Sequence, residues 1–218
     1  MSSKQFVVIG LGRFGSSVAR TLYALGNDVL AIDISEAAVQ EISDSVTHAV
    51  QADGTDENVL KSTGIRNFDV AVIGMGDDVQ GSIMSTLLVK ELGVKYVVAK
   101  AQSEIHAKVL YKIGADRVVF PERDMGTRVA HNLASSNILD YIELSSDYSI
   151  AEIAAIPDWV GKSLRELNMR SKYGMNVMAI KRNGDINISP GADDVILKDD
   201  VIVVIGGNEE LNEIKDGK

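Results

Sequence analysis

Apolar residues in the first 120 positions form short continuous runs that are separated by longer amphipathic stretches. These runs predict six strands, at residues 6–9, 29–32, 49–51, 70–73, 96–99 and 117–120. Apolar residues three and four positions apart predict helices between them, the first of which carries Phe14, Val18, Leu22 and Leu25. Apolar strands that alternate with helices are typical of a parallel sheet covered on both faces. The sequence therefore predicts an α/β fold with a doubly wound, Rossmann-like parallel sheet.

Glycine and polar residues mark the ends of these helices. Gly93 and Gly114 follow predicted helices at 79–92 and 104–113, where a residue in the left-handed conformation commonly ends a helix. Thr55 is predicted to cap a short helix between the third and fourth strands.

The pattern changes after about residue 140. Residues 149–156 alternate apolar with polar, and Asn183-Gly184 is typical of a two-residue hairpin turn. Further runs predict strands at 177–180 and 201–205 and a last helix at 209–214. This mixture predicts a small α+β domain.

A helical stretch separates the two patterns. Residues 122–143 carry Met125, Val129, Leu133 and Leu139 and predict a connector helix. The predicted domains are a nucleotide-binding domain, the connector and a C-terminal ligand-binding or dimerisation domain, at 1–121, 122–143 and 144–218.

The strongest chemical signal is a glycine-rich turn between the first strand and the first helix. In Gly10-Leu11-Gly12-Arg13-Phe14-Gly15, the first glycine permits a tight turn, the second lets a pyrophosphate approach, and the third lets helix and strand pack closely. Asp33 ends the second strand, where a carboxylate binds ribose hydroxyls and disfavours a 2′-phosphate. An adenosine-type nucleotide is the predicted ligand; the alternative is that the glycines serve only the turn.

Other candidate residues lie at the same predicted edge of the sheet. Arg13 stands beside the phosphate position, where a guanidinium binds a terminal phosphate; the alternative is a solvated arginine on the first turn. The remaining candidates are loop residues that follow strands and are either walls of the nucleotide site or simply loops: Ile34, Asp53, Gly54, Gly74, Met75, Lys100 and Ala101.

Composition excludes several function classes. The 218 residues carry a net charge of −9, which argues against a nucleic-acid partner, and no cysteine, which excludes disulfides and thiolate chemistry. No signal peptide and no window resembling a membrane helix is recognised, so a cytoplasmic protein is expected. The three histidines do not have the spacing of metal ligands, and the sequence has no nucleophile-elbow motif. The sequence therefore indicates a protein that binds a nucleotide but has no recognised catalytic residues to transform it. A sensor rather than an enzyme is predicted.

Two alternatives stay open at this point. A nicotinamide-dependent oxidoreductase would need a substrate domain with an acid–base group, and a small hairpin domain is a poor candidate for one. A redox-sensing transcriptional repressor that binds NADH would need a DNA-reading helix and a basic patch.

Several local sequences together resemble the RCK family (regulator of potassium conductance, also called KTN or TrkA), in particular the regulatory subunits of Ktr-type bacterial potassium uptake systems. The resemblance covers nearly the whole chain, and its motifs are those at 8–15, 47–50, 64–68, 100–102, 113–117, 121–126 and 170–174.

The resemblance implies a fold, ligands and partners. It implies an N-terminal domain that binds ATP or ADP, with NAD(H) as another ligand class, in an octameric ring built from dimers. The ring would gate a membrane potassium-translocating subunit at the inner face of the cell membrane. Arg13 would contact phosphate, with Phe14 beside it, and Asp33 would bind ribose. Glu122 would coordinate a divalent cation, Mg²⁺ or Ca²⁺; the alternative is charge compensation at a helix N-terminus.

The C-terminal domain resembles one that binds cyclic di-AMP in several family members. The residues that correspond to that site are Leu164, Arg165, Arg170, Asn176, Val177 and Pro190. Arg165 stands where family binders often carry an aliphatic residue, and Gly81 replaces an expected alanine in the N-terminal domain. The alternative for the C-terminal domain is dimerisation without a ligand.

Overall fold

The computed structural model describes residues 4–134 and 137–215 and divides the chain into two compact units, Met1–Pro121 and Glu122–Lys218. Each unit has its own sheet and its own hydrophobic core. The predicted three-part division of the chain stays a prediction, and residues 135 and 136 of its connector lie outside the described ranges.

The first unit contains a six-stranded sheet in which every neighbouring pair is parallel. Its strands are β1 (Gln5–Ile9), β2 (Asp28–Asp33), β3 (His48–Gln51), β4 (Val70–Ile73), β5 (Tyr96–Lys100) and β6 (Arg117–Val119). The strand order is β3-β2-β1-β4-β5-β6, so the chain reverses its direction across the sheet between β1 and β4. The predicted doubly wound fold is confirmed.

Helices cover the two faces of this sheet. They are α1 (Arg13–Ala24), α2 (Glu36–Ile42), α3 (Glu57–Ser62), α4 (Val79–Glu91) and α5 (Glu104–Lys112). Residues of α1 and α2 pack on one face, around Val8 and Ala31, and residues of α3, α4 and α5 pack on the other, around Ile9 and Ile73. Burial of these apolar side chains is the main stabilising contribution to the unit.

One helix begins differently from its prediction. The N-cap of α3 is Asp56, whose carboxylate accepts the backbone N–H groups of Asn58 and Val59. Thr55, the predicted cap, instead donates its hydroxyl to the Asp53 carboxylate at 2.6 Å. Asp56 caps the helix because aspartate is a strong N-cap residue. The Thr55 hydroxyl is not the cap because it is hydrogen-bonded to Asp53.

The second unit is an α+β structure around a five-stranded antiparallel sheet in the order β10-β9-β11-β8-β7. Its strands are β7 (Ile138–Glu143), β8 (Tyr148–Ala154), β9 (Asn176–Arg182), β10 (Asp185–Asn187) and β11 (Val201–Gly207). Its helices are α6 (Pro121–Ala134), α7 (Leu164–Leu167), α8 (Met169–Tyr173) and α9 (Asn208–Lys215). Asn183 and Gly184 have φ values of +52° and +89° and turn β9 into β10 as predicted.

The connector prediction was wrong in its helical extent. Helix α6 ends at Ala134, and Leu139 lies in strand β7 rather than on a helix. Residues 138–143 pair with β8, and Ile138 and Tyr141 are buried in the core of the second unit. The apolar residues at 138, 139, 141 and 142 fit a helix as well as a strand, and sheet pairing decides between the two.

Candidate functional site

The predicted nucleotide residues follow strands of the parallel sheet and meet at its carboxyl edge. The strand order reverses between β1 and β4, and the loops after these two strands separate there to opposite faces of the sheet. Ligands of open α/β sheets bind in the crevice at such a reversal. The candidates at this edge are Gly10, Gly12, Arg13, Gly15, Asp33, Ile34, Asp53, Gly54, Gly74, Met75, Lys100 and Ala101.

Three glycines at this edge are required by backbone packing. A Cβ on Gly15 would lie 1.9 Å from the carbonyl oxygen of Gly10, and one on Gly74 would lie 2.6 Å from the same oxygen. Gly10 itself has φ +90° and packs against Met75. For these three residues the purely structural interpretation is sufficient, because no other residue fits whether or not a ligand binds.

Gly12 differs from the other glycines of the turn. A Cβ there would have no heavy atom within 4 Å, so the space beside Gly12 is open. Gly12 is also the N-cap of α1 and makes no side-chain cap, and the first turn of the helix carries no acidic residue. This helix end therefore has no side-chain cap and open space beside Gly12, and a helix N-terminus of this kind can bind phosphate.

Arg13 adds a full positive charge to this helix end. It is the first residue of α1 and is exposed, and in the described part of the chain it forms no ion pair. A guanidinium in this place can donate two N–H groups to a phosphate in a bidentate arrangement.

The Asp33 carboxylate is fixed at the end of β2. Its Oδ2 accepts the Leu11 N–H at 2.6 Å, and its Oδ1 accepts the Ser35 N–H at 2.8 Å. Each carboxylate oxygen has two lone pairs, so one acceptor site per oxygen is left for ribose hydroxyls. The glycine loop and the ribose-binding carboxylate are thus held together by a direct hydrogen bond.

Asp53 and Gly54 follow β3. Hydrogen bonds from the Thr55 side chain and backbone lower the pKa of the exposed Asp53 carboxyl. Gly54 is buried, and a Cβ there would lie 2.3 Å from Ile9 Cγ2. Asp53 therefore presents a charged acceptor at the edge, and Gly54 is required by packing.

Lys100 and Ala101 follow β5. The Lys100 side chain lies over Gly76, where a Cβ would come within 2.7 Å of its Nζ. Ala101 is buried and donates its N–H to the Val119 carbonyl at 2.9 Å. Lys100 thus supplies a second cation to the loops at this edge.

Two predicted nucleotide contacts, Phe14 and Ile34, have surroundings that differ from each other. The Phe14 side chain lies away from the glycine loop, in an apolar groove of about 630 Å³ with Val18, Val70 and Val98. Only its backbone N–H belongs to the helix end. Ile34 is 70% exposed at the end of β2, where an apolar side chain is accessible to a ligand.

Sequence reasoning missed Ser85. This buried hydroxyl on α4 donates to the Gly54 carbonyl at 2.8 Å and lies 3.4 Å from Met75 Sδ, so it ties two loops of the site together. The available signal was a hydroxyl in an otherwise apolar helix segment. Gly81 has a structural reason as well, because a Cβ there would lie 2.3 Å from the Asp78 carboxylate that caps α4.

Glu122 lies in the first turn of α6. Negative charge in the first turn stabilises a helix through its dipole. This position of Glu122 is therefore also consistent with the alternative, charge compensation at a helix N-terminus. Among the described residues, no group of three or more His, Cys, Asp or Glu side chains could hold a metal ion. A cation at Glu122 therefore requires oxygen ligands from elsewhere, such as nucleotide phosphates or a second copy.

The C-terminal candidates lie around α7, α8 and the start of β9. Arg170 and Asn176 are exposed, whereas Leu164 and Val177 pack partly against the core of the unit. Arg165 forms an exposed ion pair with Asp193 at 3.0 Å, and a ligand phosphate would have to compete with this carboxylate. Pro190 is half-buried.

Comparisons with known proteins show the family to which both units belong. The family model described as the TrkA-N domain matches residues 6–121, and the model described as the TrkA-C domain matches residues 150–216. Ktr system potassium uptake protein C of Bacillus subtilis is 48% identical over 212 residues, which cover 97% of this chain and 96% of that protein. Ktr system potassium uptake protein A of the same organism is 45% identical over 99% of this chain and 97% of that protein.

Solved structures show the same fold. The RCK domain of GsuK superposes with a TM-score of 0.67 over 99% of this chain and 47% of that chain, at 17% identity. At this identity the likeness concerns the fold alone. Within the described residues, the structure has no helix with the length and apolar character needed to span a membrane.

Proposed function

Because the chain belongs to the TrkA family of potassium uptake proteins, with a TrkA-N domain followed by a TrkA-C domain, we propose that it is the nucleotide-sensing regulatory subunit of a Ktr-type potassium uptake system. The observation that carries the proposal is 48% identity along almost the full length of a Ktr protein. The subunit acts by binding rather than by turnover, in the cytoplasm, at the inner face of the membrane beside a potassium-translocating subunit.

The nucleotide is ATP or ADP, bound at the carboxyl edge of the parallel sheet. Open space at Gly12, the uncapped helix end and the fixed Asp33 carboxylate support this ligand class. The exposed Arg13 favours ATP, whose additional phosphate brings more negative charge to the helix end. NAD(H) shares the adenosine diphosphate portion and is the other ligand of the same site.

Gating follows from unequal affinity. A nucleotide shifts an equilibrium between two ring states only if it binds one of them more tightly. Glu122 and a divalent cation, Mg²⁺ or Ca²⁺, raise the affinity for ATP by neutralising its phosphates. Cyclic di-AMP binds the second unit at Arg170 and Asn176, with Leu164, Arg165, Val177 and Pro190 around it, and biases the ring independently.

The ring is an octamer built from dimers of this chain. The groove beside Phe14 and Val98 leaves part of one sheet face of the first unit without a covering helix, although parallel sheets are normally covered on both faces. Met125, Val129 and Leu133 form an exposed apolar stripe along α6. Uncovered apolar surfaces of this kind support contact between copies.

The test is ligand binding by the purified full chain and its Arg13→Ala and Glu122→Gln variants. Calorimetric titrations with ATP and ADP, with and without Mg²⁺, are expected to show that Arg13→Ala weakens ATP more than ADP. Glu122→Gln is expected to remove the effect of Mg²⁺ on ATP while sparing ADP. Arg20→Ala is the matched control, because Arg20 is on the same helix but is paired with Glu41 at 3.2 Å.

Other outcomes would contradict parts of the proposal. Equal losses of ATP and ADP affinity in Arg13→Ala would exclude a role for Arg13 at the terminal phosphate. An unchanged Mg²⁺ effect in Glu122→Gln would exclude Glu122 as the ligand. Binding of NADH alone, with oxidation of NADH in the presence of a substrate, would favour the oxidoreductase alternative. Failure to alter potassium flux through the membrane subunit in reconstituted vesicles would overturn the regulatory function itself.

A further inference from the structure

Helix α4 carries three hydroxyl side chains on the side that is buried in the first unit. Ser82, Ser85 and Thr86 have no exposed surface. Within the described residues, the hydroxyls of Ser82 and Thr86 have no hydrogen-bond partner, whereas the Ser85 hydroxyl donates to another element of the unit. Ser85 is therefore the buried hydroxyl of this helix that has a directional contact, and the other two provide an internal comparison.

The partner of Ser85 is the loop between β3 and α3, residues 52–56, which we call the Gly54 loop. The Ser85 hydroxyl donates to the Gly54 carbonyl at 2.8 Å. Gly54 is buried, and its carbonyl has no other donor in the ranges that the structure describes. Because a buried carbonyl without a donor is unfavourable, this hydrogen bond fixes the position of the Gly54 loop relative to α4.

Helix α4 is itself attached to the loop that follows β4. The Asp78 carboxylate of that loop accepts the Gly81 N–H at 2.8 Å and caps the helix. Met75, in the same loop, packs against Gly10 of the glycine-rich turn, where a Cβ would lie 2.7 Å from Met75 Cγ. Ser85 therefore joins the Gly54 loop to a helix and a loop that already contact the glycine-rich turn.

The strand order relates the Gly54 loop to the proposed nucleotide. Strands β3, β2 and β1 are adjacent in that order, and the Ala52 N–H at the start of the Gly54 loop donates to the Asp33 carbonyl at 2.9 Å. The proposed function puts phosphate at Gly12, after β1, and ribose at Asp33, after β2. A base attached to that ribose and extending along the sheet edge then meets the Gly54 loop, after β3.

We infer that Ser85 is a positioning residue for the base end of the nucleotide site: its hydroxyl holds the Gly54 loop where the loop meets the base. The inference rests on the proposed function, since it gives Ser85 a part in binding that nucleotide. ATP and ADP share the base and the ribose, so loss of the hydroxyl weakens both by the same factor. Ser85 thereby differs from Arg13, whose loss is expected to weaken ATP more than ADP.

The experiment compares Ser85→Ala with Ser82→Ala in calorimetric titrations of the full chain with ATP and ADP. Both variants remove one fully buried hydroxyl from the same helix, but only the Ser85 hydroxyl is bonded to a loop of the site. Ser85→Ala is expected to lower the affinity for ATP and for ADP about tenfold each, roughly the effect of one buried hydrogen bond. Ser82→Ala is expected to keep the wild-type affinities.

Hydrogen exchange of the chain without nucleotide measures the loop directly. The N–H groups of Ala52, Thr55 and Asp56 are hydrogen-bonded, so their exchange reports opening of the Gly54 loop. Exchange at these amides is expected to be about tenfold faster in Ser85→Ala and unchanged in Ser82→Ala, while circular dichroism shows whether each variant is folded. If Ser85→Ala does not fold, Ser85→Cys decides, since a thiol fills the same place but is a weak donor.

Three results would overturn the inference and leave the proposed function in place. A folded Ser85→Ala or Ser85→Cys variant that binds ATP and ADP like the wild type would show that the hydroxyl does not position the site. An equal loss in Ser82→Ala would show that packing of α4 determines the affinity. A loss for ATP alone would assign the effect to the terminal phosphate. Absence of ATP and ADP binding by the wild-type chain would instead contradict the proposed function, and the inference with it.

Discussion

Two glycines of one turn, three residues apart, have opposite surroundings. Gly15 has the Gly10 carbonyl where its Cβ would be, whereas the space beside Gly12 is open. Gly12 also has φ −63°, which any residue adopts. We expect Gly15→Ala to lower the free energy of unfolding by about 1–3 kcal/mol, as overpacking does.

Gly12→Ala tests the other glycine of the turn. Its stability without ligand is expected to stay close to that of the wild type, while its methyl group occupies the space a phosphate needs. Thermal unfolding with and without ATP checks both variants, because a bound ligand raises the unfolding temperature. A Gly12→Ala protein that is stabilised by ATP as strongly as the wild type would move the phosphate away from this turn.

A second prediction at the residue scale concerns the Arg128–Asp140 pair. Hydrogen bonds from Arg128 lower the pKa of Asp140 to about 2, and the Tyr141 N–H contributes in the same direction. A lowered pKa means that the pair stabilises the folded unit above about pH 4 and loses this contribution as the pH falls toward 2. Arg128→Met is expected to return the pKa toward 3.8, the ordinary value, in an NMR titration of the carboxyl carbon. The Arg170→Met variant is the control and should leave the Asp140 titration unchanged, because Arg170 forms no ion pair with any residue in the described ranges.

At the scale of elements, the sequence predicts correctly those features that depend on interactions between residues close together in the chain. The Asn183-Gly184 turn and the left-handed Gly93 and Gly114 depend on the backbone of one or two residues, and they were predicted correctly. Strand β7 was predicted as helix because the pairing with β8 decides its conformation. The contact of Gly15 with Gly10, and that of Ser85 with Gly54, join residues whose proximity is created by the tertiary fold.

The joint between α7 and α8 is a single residue in an unusual conformation. Asn168 has φ +46° and ψ +51°; its N–H donates to the Leu164 carbonyl, and its carbonyl accepts from Lys172. Asparagine and glycine tolerate this left-handed region, and alanine loses roughly 1 kcal/mol there. Asn168→Ala is therefore expected to lower the free energy of unfolding of the second unit by about that amount, and Asn168→Gly by less.

Urea unfolding followed by Trp159 emission measures this effect, since Trp159 lies 5.6 Å from the Tyr173 ring at the end of α8. The Ala and Gly variants both remove the amide side chain, so a difference between them isolates the backbone conformation. Equal stability of the two variants would show that the left-handed conformation at residue 168 does not lower the free energy of unfolding of the alanine variant.

The whole molecule combines two units with separate cores and separate candidate ligand sites. Apart from the proposed cation ligand Glu122, the candidate nucleotide residues belong to Met1–Pro121, and the candidate cyclic di-AMP residues belong to Glu122–Lys218. If each ligand binds its own unit, a substitution in one site leaves the affinity for the other ligand unchanged unless the ring couples them. This separation gives the proposed regulator two independent inputs.

Arg170→Ala tests this arrangement. Arg170 is exposed on α8, and removal of its guanidinium is expected to reduce cyclic di-AMP affinity at least tenfold, the loss of one charge-assisted contact to phosphate. Lys172→Ala is the matched control: Lys172 is on the same helix, and its ammonium lies 5.0 Å from the centre of the Tyr173 ring. Calorimetry with ATP should give the wild-type affinity in both variants. A parallel loss of ATP affinity in Arg170→Ala would show that the two sites are coupled, and an unchanged cyclic di-AMP affinity would leave the second unit as a dimerisation domain.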